Sequence, residues 1–217
     1  MRKNSEIRGL VGQKNARLFS RLDSPAKIQN FLNALPYNHE TSGETYMSPM
    51  RMLKEKKAHC FEGALFAAAC LMYHGRKPLL LDLRTARGDT DHVVALYRDG
   101  AHWGAVSKTN HSVLRYRDPV YASVRELALS YFHEYFLDGG KKTLREYSAP
   151  FDLTDFKLES WLTTDENVVD IVNALDDSKH FKIMPPATAK KLRKADAIEI
   201  RAQNYEEEWP KRPKKRS

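Results

Sequence analysis

The sequence predicts an α+β fold in which one buried helix lies against an antiparallel sheet. Three stretches carry that prediction. Residues 61–73 hold a single glycine, no proline and many Ala, Leu and Met, and are apolar nearly all round, which marks a core helix. Leu79, Leu80 and Leu81 follow Pro78 and are too few for a helix, so they read as a buried strand. Residues 92–97 (HVVALY) carry β-branched side chains and run into Asp99-Gly100, a tight-turn dipeptide, so a partner strand is expected over 102–107.

The remaining elements follow in order. Residues 1–23 hold six Lys/Arg against two acids and read as a basic arm. A weak helical pattern through Ile7, Leu10, Val11, Leu18 and Phe19 leaves a docking helix and a disordered segment both open. Ser24-Pro25 and Ser48-Pro49 are helix starts, each with a capping hydroxyl and a proline at the first helical position. Pro36 closes the first of these helices, and the lysine-rich run 54–57 follows the second. His74-Gly75 ends the central helix. After the hairpin, residues 111–116 alternate as a third strand that Asp118-Pro119 breaks. Residues 124–137 read as an amphipathic helix, 144–147 as a strand, 165–175 as a helix and 180–184 as a strand, while 151–161 is ambiguous. A polar helix over 187–197 and an edge strand over 198–200 complete the expectation. The chain thus divides into the arm, a single domain over 24–210 and a basic tail over 211–217.

Composition narrows the function classes. The formal net charge is +8, but the first 23 residues carry +4 and the tail +5, so the body is close to neutral. That distribution argues against a specific nucleic-acid reader and leaves weak anionic contacts through the tail. Cys60 and Cys70 are the two cysteines, and ten residues of helix would hold them roughly 15 Å apart, too far for a bridge. Unbridged thiols, the lack of a membrane-length apolar run and the lack of a secretory signal lead to a cytoplasmic expectation with no membrane partner. The His and Cys spacings do not match a zinc site. No glycine loop precedes a helix to hold phosphate, and Ser148 and Ser160 lack nucleophile-elbow glycines.

The chemistry centres on Cys60 and His92. A thiol opening a helix faces unpaired backbone N–H groups and the positive end of the dipole, which favour the thiolate. A histidine at a strand start can pair with it and move its proton. Asp89 and Asp91 read as solvated loop residues ahead of that strand. The lysine-rich run could raise the potential near Cys60, and Tyr46 could lend a hydroxyl to an oxyanion site.

Cys60 opening an Ala-rich helix, His74-Gly75 closing it, His92 opening a later strand, then Asp99-Gly100 and Trp103, resemble the transglutaminase-like core of the papain-like cysteine enzymes over residues 48–120. The resemblance implies a central Cys-bearing helix packed on an antiparallel sheet, a peptide or protein amide substrate, no cofactor, and an acid on the strand after the hairpin. Ser107 stands at the acid's position, with Asn110 and Asp118 as alternative third members. A hairpin turning at Asp99-Gly100 would set His92 across from Ser107, Val94 across from Ala105 and Leu96 across from Trp103. The implied function is thiol-dependent acyl chemistry on peptide-type amides, hydrolysis before cross-linking, with the Cys60 N–H as one oxyanion donor. The alternative, which the uncharged Ser107 favours, is a catalytically weak or inactive binding module.

Overall fold

The computed structural model describes residues 2–41 and 43–203. Its axis is helix α4 (Cys60–Tyr73), in which every residue after Cys60 is buried. Such a helix must be covered on all sides. Helices α1 (Arg2–Arg21), α2 (Pro25–Asn33) and α3 (Pro49–Glu55) cover three of its faces. Ser24 Oγ accepts the Lys27 N–H at 3.4 Å and Ser48 Oγ that of Arg51 at 3.2 Å, so both serine-proline starts act as caps. The first residues form a docking helix: α1 bends at Gly12 (φ 67°) and places Ile7, Val11 and Phe19 in the same core as α4.

The sheet covers the remaining face of α4. Its strands are β1 (Leu79–Thr85), β2 (His92–Asp99), β3 (His102–Val106), β4 (Arg117–Tyr121), β5 (Leu144–Ser148), β6 (Phe151–Asp152) and β7 (His180–Lys182). All pairings are antiparallel, in the order β4-β3-β2-β1-β5-β7, with β6 also on β1. Alternate side chains of β2 serve two cores. Val93, Ala95 and Tyr97 join the α4 cluster, whereas Val94 and Leu96 join a second cluster with Leu127, Ala128 and Tyr131. With both faces covered, β2 is apolar without a break from Val93 to Tyr97. Strand β7 is tied to β1 across β5 by His180 Nε2 and the buried carboxylate of Asp82, 3.1 Å apart. The fold is therefore α+β, and among the described residues no helix is long and apolar enough to cross a membrane.

Several expectations are corrected. The hairpin turns at Gly100-Ala101, because Asp99 stays in the ladder opposite His102 and Gly100 takes φ 57° as the first turn residue. This register sets Arg98 against Trp103, and the guanidinium stacks over the indole at 5.0 Å. Ala105 faces Leu96 rather than Val94. Residues 111–116 are not a strand. Leu114 takes φ 58°, with its N–H on Glu134 and its carbonyl on Ser107, and this bends the segment. The strand is β4, which includes Asp118-Pro119. It lies at the sheet edge, where a missing N–H is tolerated.

The helix over 124–137 ends early, as α5 (Val124–Ser130) followed by a 3-10 turn over Phe132–Glu134. There the Ser130 hydroxyl bonds back to Leu127 O, and Arg117 takes the Ser130 carbonyl. The ambiguous stretch becomes β6, a 3-10 turn and α6 (Leu158–Leu162), and α7 is Val169–Asp176. The polar helix shrinks to α8 (Pro186–Ala189). Residues 198–200 lie in helix α9 (Ala197–Gln203), not an edge strand. The Asp196 N–H donates to Glu199 Oε2 at 2.6 Å, a helix-start signal that a three-residue alternation concealed. The tail over 211–217 lies outside the described residues.

Gly63, the lone glycine of α4, has a packing reason. A Cβ there would collide with Lys108 Cβ, an atom fixed by backbone at the end of β3. Gly63→Ala should therefore destabilise the protein by about 1–3 kcal/mol through overpacking, although alanine is the better helix former. Denaturant midpoints check this, and a higher midpoint for the variant would mean that Lys108 gives way.

Candidate active site

Cys60 is the first residue of α4 and is half-buried. It lies between a cavity of about 160 Å³, shared with Tyr37, His92, Thr109 and Tyr135, and a cleft of about 370 Å³ lined by Glu40, Tyr46, His59, Asp82 and Asp176 among others.

The helix start is built around a wholly buried carboxylate. Glu62 accepts hydrogen bonds from the His59 N–H (3.0 Å), the Met47 N–H (3.1 Å), Thr45 Oγ1 (2.9 Å) and Asn38 Nδ2 (3.2 Å). His59 is the N-cap. Its Nε2 lies 2.7 Å from the Thr45 carbonyl, 3.4 Å from Glu62 Oε1 and 3.7 Å from Glu40 Oε1. Facing only acceptors, Nε2 carries a proton. The ring also lines the larger cleft beside Cys60. Burial opposes a charge on His59, but the Cys60 sulfur, the Glu62 carboxylate and the Thr45 carbonyl outweigh it and raise the imidazole to about 9.

On the other side stands His92, the buried first residue of β2. Its Nε2 lies 2.8 Å from Ser107 Oγ, and that hydroxyl donates its own proton to the Leu114 carbonyl at 2.6 Å. The serine therefore accepts, His92 Nε2–H donates, and Nδ1 is left for Cys60. Burial pushes the Cys60 thiol up, but hydrogen bonds from His59 and His92, and their charge, bring it down to about 5. Cys70 has burial alone, which pushes it well above the ordinary thiol value.

Ser107 is held from behind by α2. The Gln29 side chain accepts the Ser107 N–H at 2.9 Å and donates to its carbonyl at 2.7 Å. Next in sequence, the buried Lys108 ammonium donates to Leu32 O and Leu35 O at the end of the same helix. If the hairpin ladder were continued, His92 would face Thr109, and Ser107 would be its diagonal neighbour on the same face. The register therefore differs by two residues from the expected one, and the predicted pair still meets.

Cys60, His92 and Ser107 are thus brought together. Asn110 is buried close by, but His92 bonds Ser107 instead, and Asp118 is exposed on the edge strand. Tyr46 directs its hydroxyl to Glu44. The phenol beside Cys60 is that of Tyr37, whose proton is retained through burial and the neighbouring Cys60, Glu40 and Glu62 charges. The two imidazoles are the main groups that lower the thiol. Asp89 and Asp91 organise their loop, Asp91 through the Thr85 N–H at 2.7 Å and Asp89 through Thr143. Among the described residues no group of three or more His, Cys, Asp or Glu side chains is arranged to hold a metal ion.

His59, Glu62 and Tyr37 are the members that sequence reasoning missed. An acid three residues after a helix start is the signal that pointed to Glu62. Nothing local points to Tyr37.

No protein-family model matches this chain, and no curated protein matches it.

If His59 supplies the positive charge beside the sulfur, His59→Gln should raise the midpoint of Cys60 thiolate formation from about 5 by about 1–3 pH units. Ultraviolet absorbance of the thiolate against pH measures it. An unmoved midpoint would assign the lowering to His92 and the helix terminus.

Proposed function

We propose that this protein is a thiol enzyme with a transglutaminase-like, papain-like core, acting on peptide-type amides. The observation that carries the reading is the seating of Cys60 at the N-terminus of a buried helix between two imidazoles, with Ser107 fixing the tautomer of one of them. The helix N-terminus and both imidazoles favour sulfur as thiolate.

The division of labour follows from the partners. His59 is embedded among carboxylates and a carbonyl and stays charged. His92 has a neutral partner and is free to gain and lose a proton. The Cys60 thiolate adds to the amide carbonyl carbon and forms the C–S bond. His92, which takes up the Cys60 thiol proton on Nδ1 as the thiolate forms, delivers it to the nitrogen as the C–N bond breaks, leaving a thioester on Cys60 and a neutral ring. Water, deprotonated by His92, then releases the acid. Hydrolysis is favoured over cross-linking because it needs no second specific substrate. Two free cysteines suit a reducing, cytoplasmic setting.

Ser107 brings no charge to stabilise an imidazolium at His92, so the reaction is expected to be slow. That same feature supports the second reading, a binding module of this fold with little or no turnover.

Iodoacetamide and p-nitrophenyl acetate separate the two. For the enzyme, Cys60 alkylation persists as pH falls and declines only through about 5, Cys70 stays inert until unfolding, and an acetyl group accumulates on Cys60. Equal, slow labelling of both cysteines would sink the catalytic reading. Ready alkylation without acylation would support the binding module.

Ser107→Ala should slow acylation about tenfold, the order of one neutral hydrogen bond. Asn110→Ala and Asp118→Ala should change it less than about twofold, because neither side chain bonds His92. A large loss in either of those would identify a different third member.

A further inference from the structure

Addition of a thiolate to a carbonyl places negative charge on the oxygen, and a site that speeds this step needs a donor aimed at it. The Cys60 N–H at the start of α4 is the expected backbone donor. The cavity of about 160 Å³ beside Cys60 and His92 has another donor in its wall, Tyr135.

Tyr135 is only 3% exposed, yet among the described residues its hydroxyl has no hydrogen-bond partner. Buried polar groups nearly always find one, so an unpaired phenol lining a cavity beside a nucleophile points to a ligand atom. Burial, then the negative charge of Cys60, Asp89, Asp91 and Asp82, pushes this phenol well above its ordinary value, so the group can only be protonated near neutrality. The ring is also fixed. The Tyr135 carbonyl accepts the Thr143 N–H at 3.0 Å, and the ring sits in the cluster with Leu127, Tyr131 and Leu144. The adjacent Glu134 binds the Leu114 N–H at 2.7 Å and Arg117 at 2.6 Å. Leu114 is also the residue that takes the Ser107 proton. One anchored segment therefore holds both the phenol and the partner of His92.

We propose that the Tyr135 hydroxyl is the oxyanion donor of this site, hydrogen-bonding the carbonyl oxygen of the acyl substrate as Cys60 adds to it. The inference rests on the acyl reading above. As the C–S bond forms, the carbonyl π pair moves to oxygen and is met by the Tyr135 O–H, which keeps its proton. When that pair returns, the C–N or C–O bond breaks and the leaving group takes its proton from His92.

Tyr135→Phe tests this with two probes. Iodoacetamide reacts by displacement at carbon and makes no oxyanion, whereas p-nitrophenyl acetate reacts through one. The variant should alkylate at the native rate with the native pH midpoint, while p-nitrophenolate release by Cys60 falls about 10²–10³-fold. Its thermal midpoint should match or exceed the native one, because the hydroxyl removed has no partner. Native acylation with native alkylation would overturn the proposal. So would a parallel loss of both, which would mean that Tyr135 acts through the thiolate, or a clear drop in thermal midpoint, which would mean that the hydroxyl is bonded in the resting protein. A native protein whose Cys60 neither alkylates nor acylates would remove the acyl reading, and this inference with it.

Discussion

The arrangement at Cys60 depends on the burial of Glu62. A carboxylate withdrawn from water is costly unless its charge is met. Here it is met by two backbone N–H groups, a hydroxyl and an amide, at the positive end of α4 and beside the His59 ring. The donors come from residues 38–47 and from His59, so the loop before the helix is folded onto the helix start by this one group. His59 is then held against Cys60 with acceptors around its far nitrogen. The charge next to the sulfur is thus set by a buried acid two positions further along α4, reached through a histidine that precedes it.

A second constraint acts from the sheet. Ser107 is clamped by Gln29 through both backbone groups, and Lys108 caps α2 with its buried ammonium. Helix α2 therefore fixes the end of β3, and β3 fixes the acceptor for His92. Gly63 belongs to the same contact, since α4 and Lys108 approach too closely for a side chain. The two arms around the sulfur differ in kind. The arm through Glu62 and His59 is charged and buried; the arm through Ser107 gives His92 an uncharged acceptor and fixes Nε2 as its donor. The sulfur thus has one imidazole backed by a carboxylate and another backed by a serine, and both lower the thiol.

Electrostatics also distinguishes the two sides of Cys60. The larger cleft carries Glu40, Glu44, Asp82, Asp89, Asp91 and Asp176. Burial, and mutual repulsion with Asp82, raise Asp91 and Asp176 above the usual carboxylate range. The smaller cavity shares Asp89 and Asp91, adds Glu134, and carries the phenols of Tyr37 and Tyr135, both kept protonated, beside His92. Carboxylates thus line both sides of the sulfur, and the protonated phenols and His92 distinguish the smaller cavity.

Local signals in the sequence determined much of this protein. The serine-proline caps, the apolar run of α4, the hairpin and the placing of Cys60 and His92 at element starts all follow from propensity, capping and periodicity, which neighbours in the chain control. Ser107 was also within reach, because a hairpin register wrong by an even number leaves every side chain on its proper face. What depends on contacts between distant residues was not legible. A proline strand is tolerated only because β4 ends as an edge, and residues 111–116 bend only because Ser107 and Glu134 take the backbone groups of Leu114. His59 and Glu62 stood beside Cys60 in the sequence without a role, since a carboxylate acquires one only when folding removes its water. Tyr37 and Tyr135 lie 23 and 75 residues from Cys60, and only the pairing of Tyr37 with Ala58 and the anchoring of Tyr135 by Thr143 bring them to one cavity with Cys60.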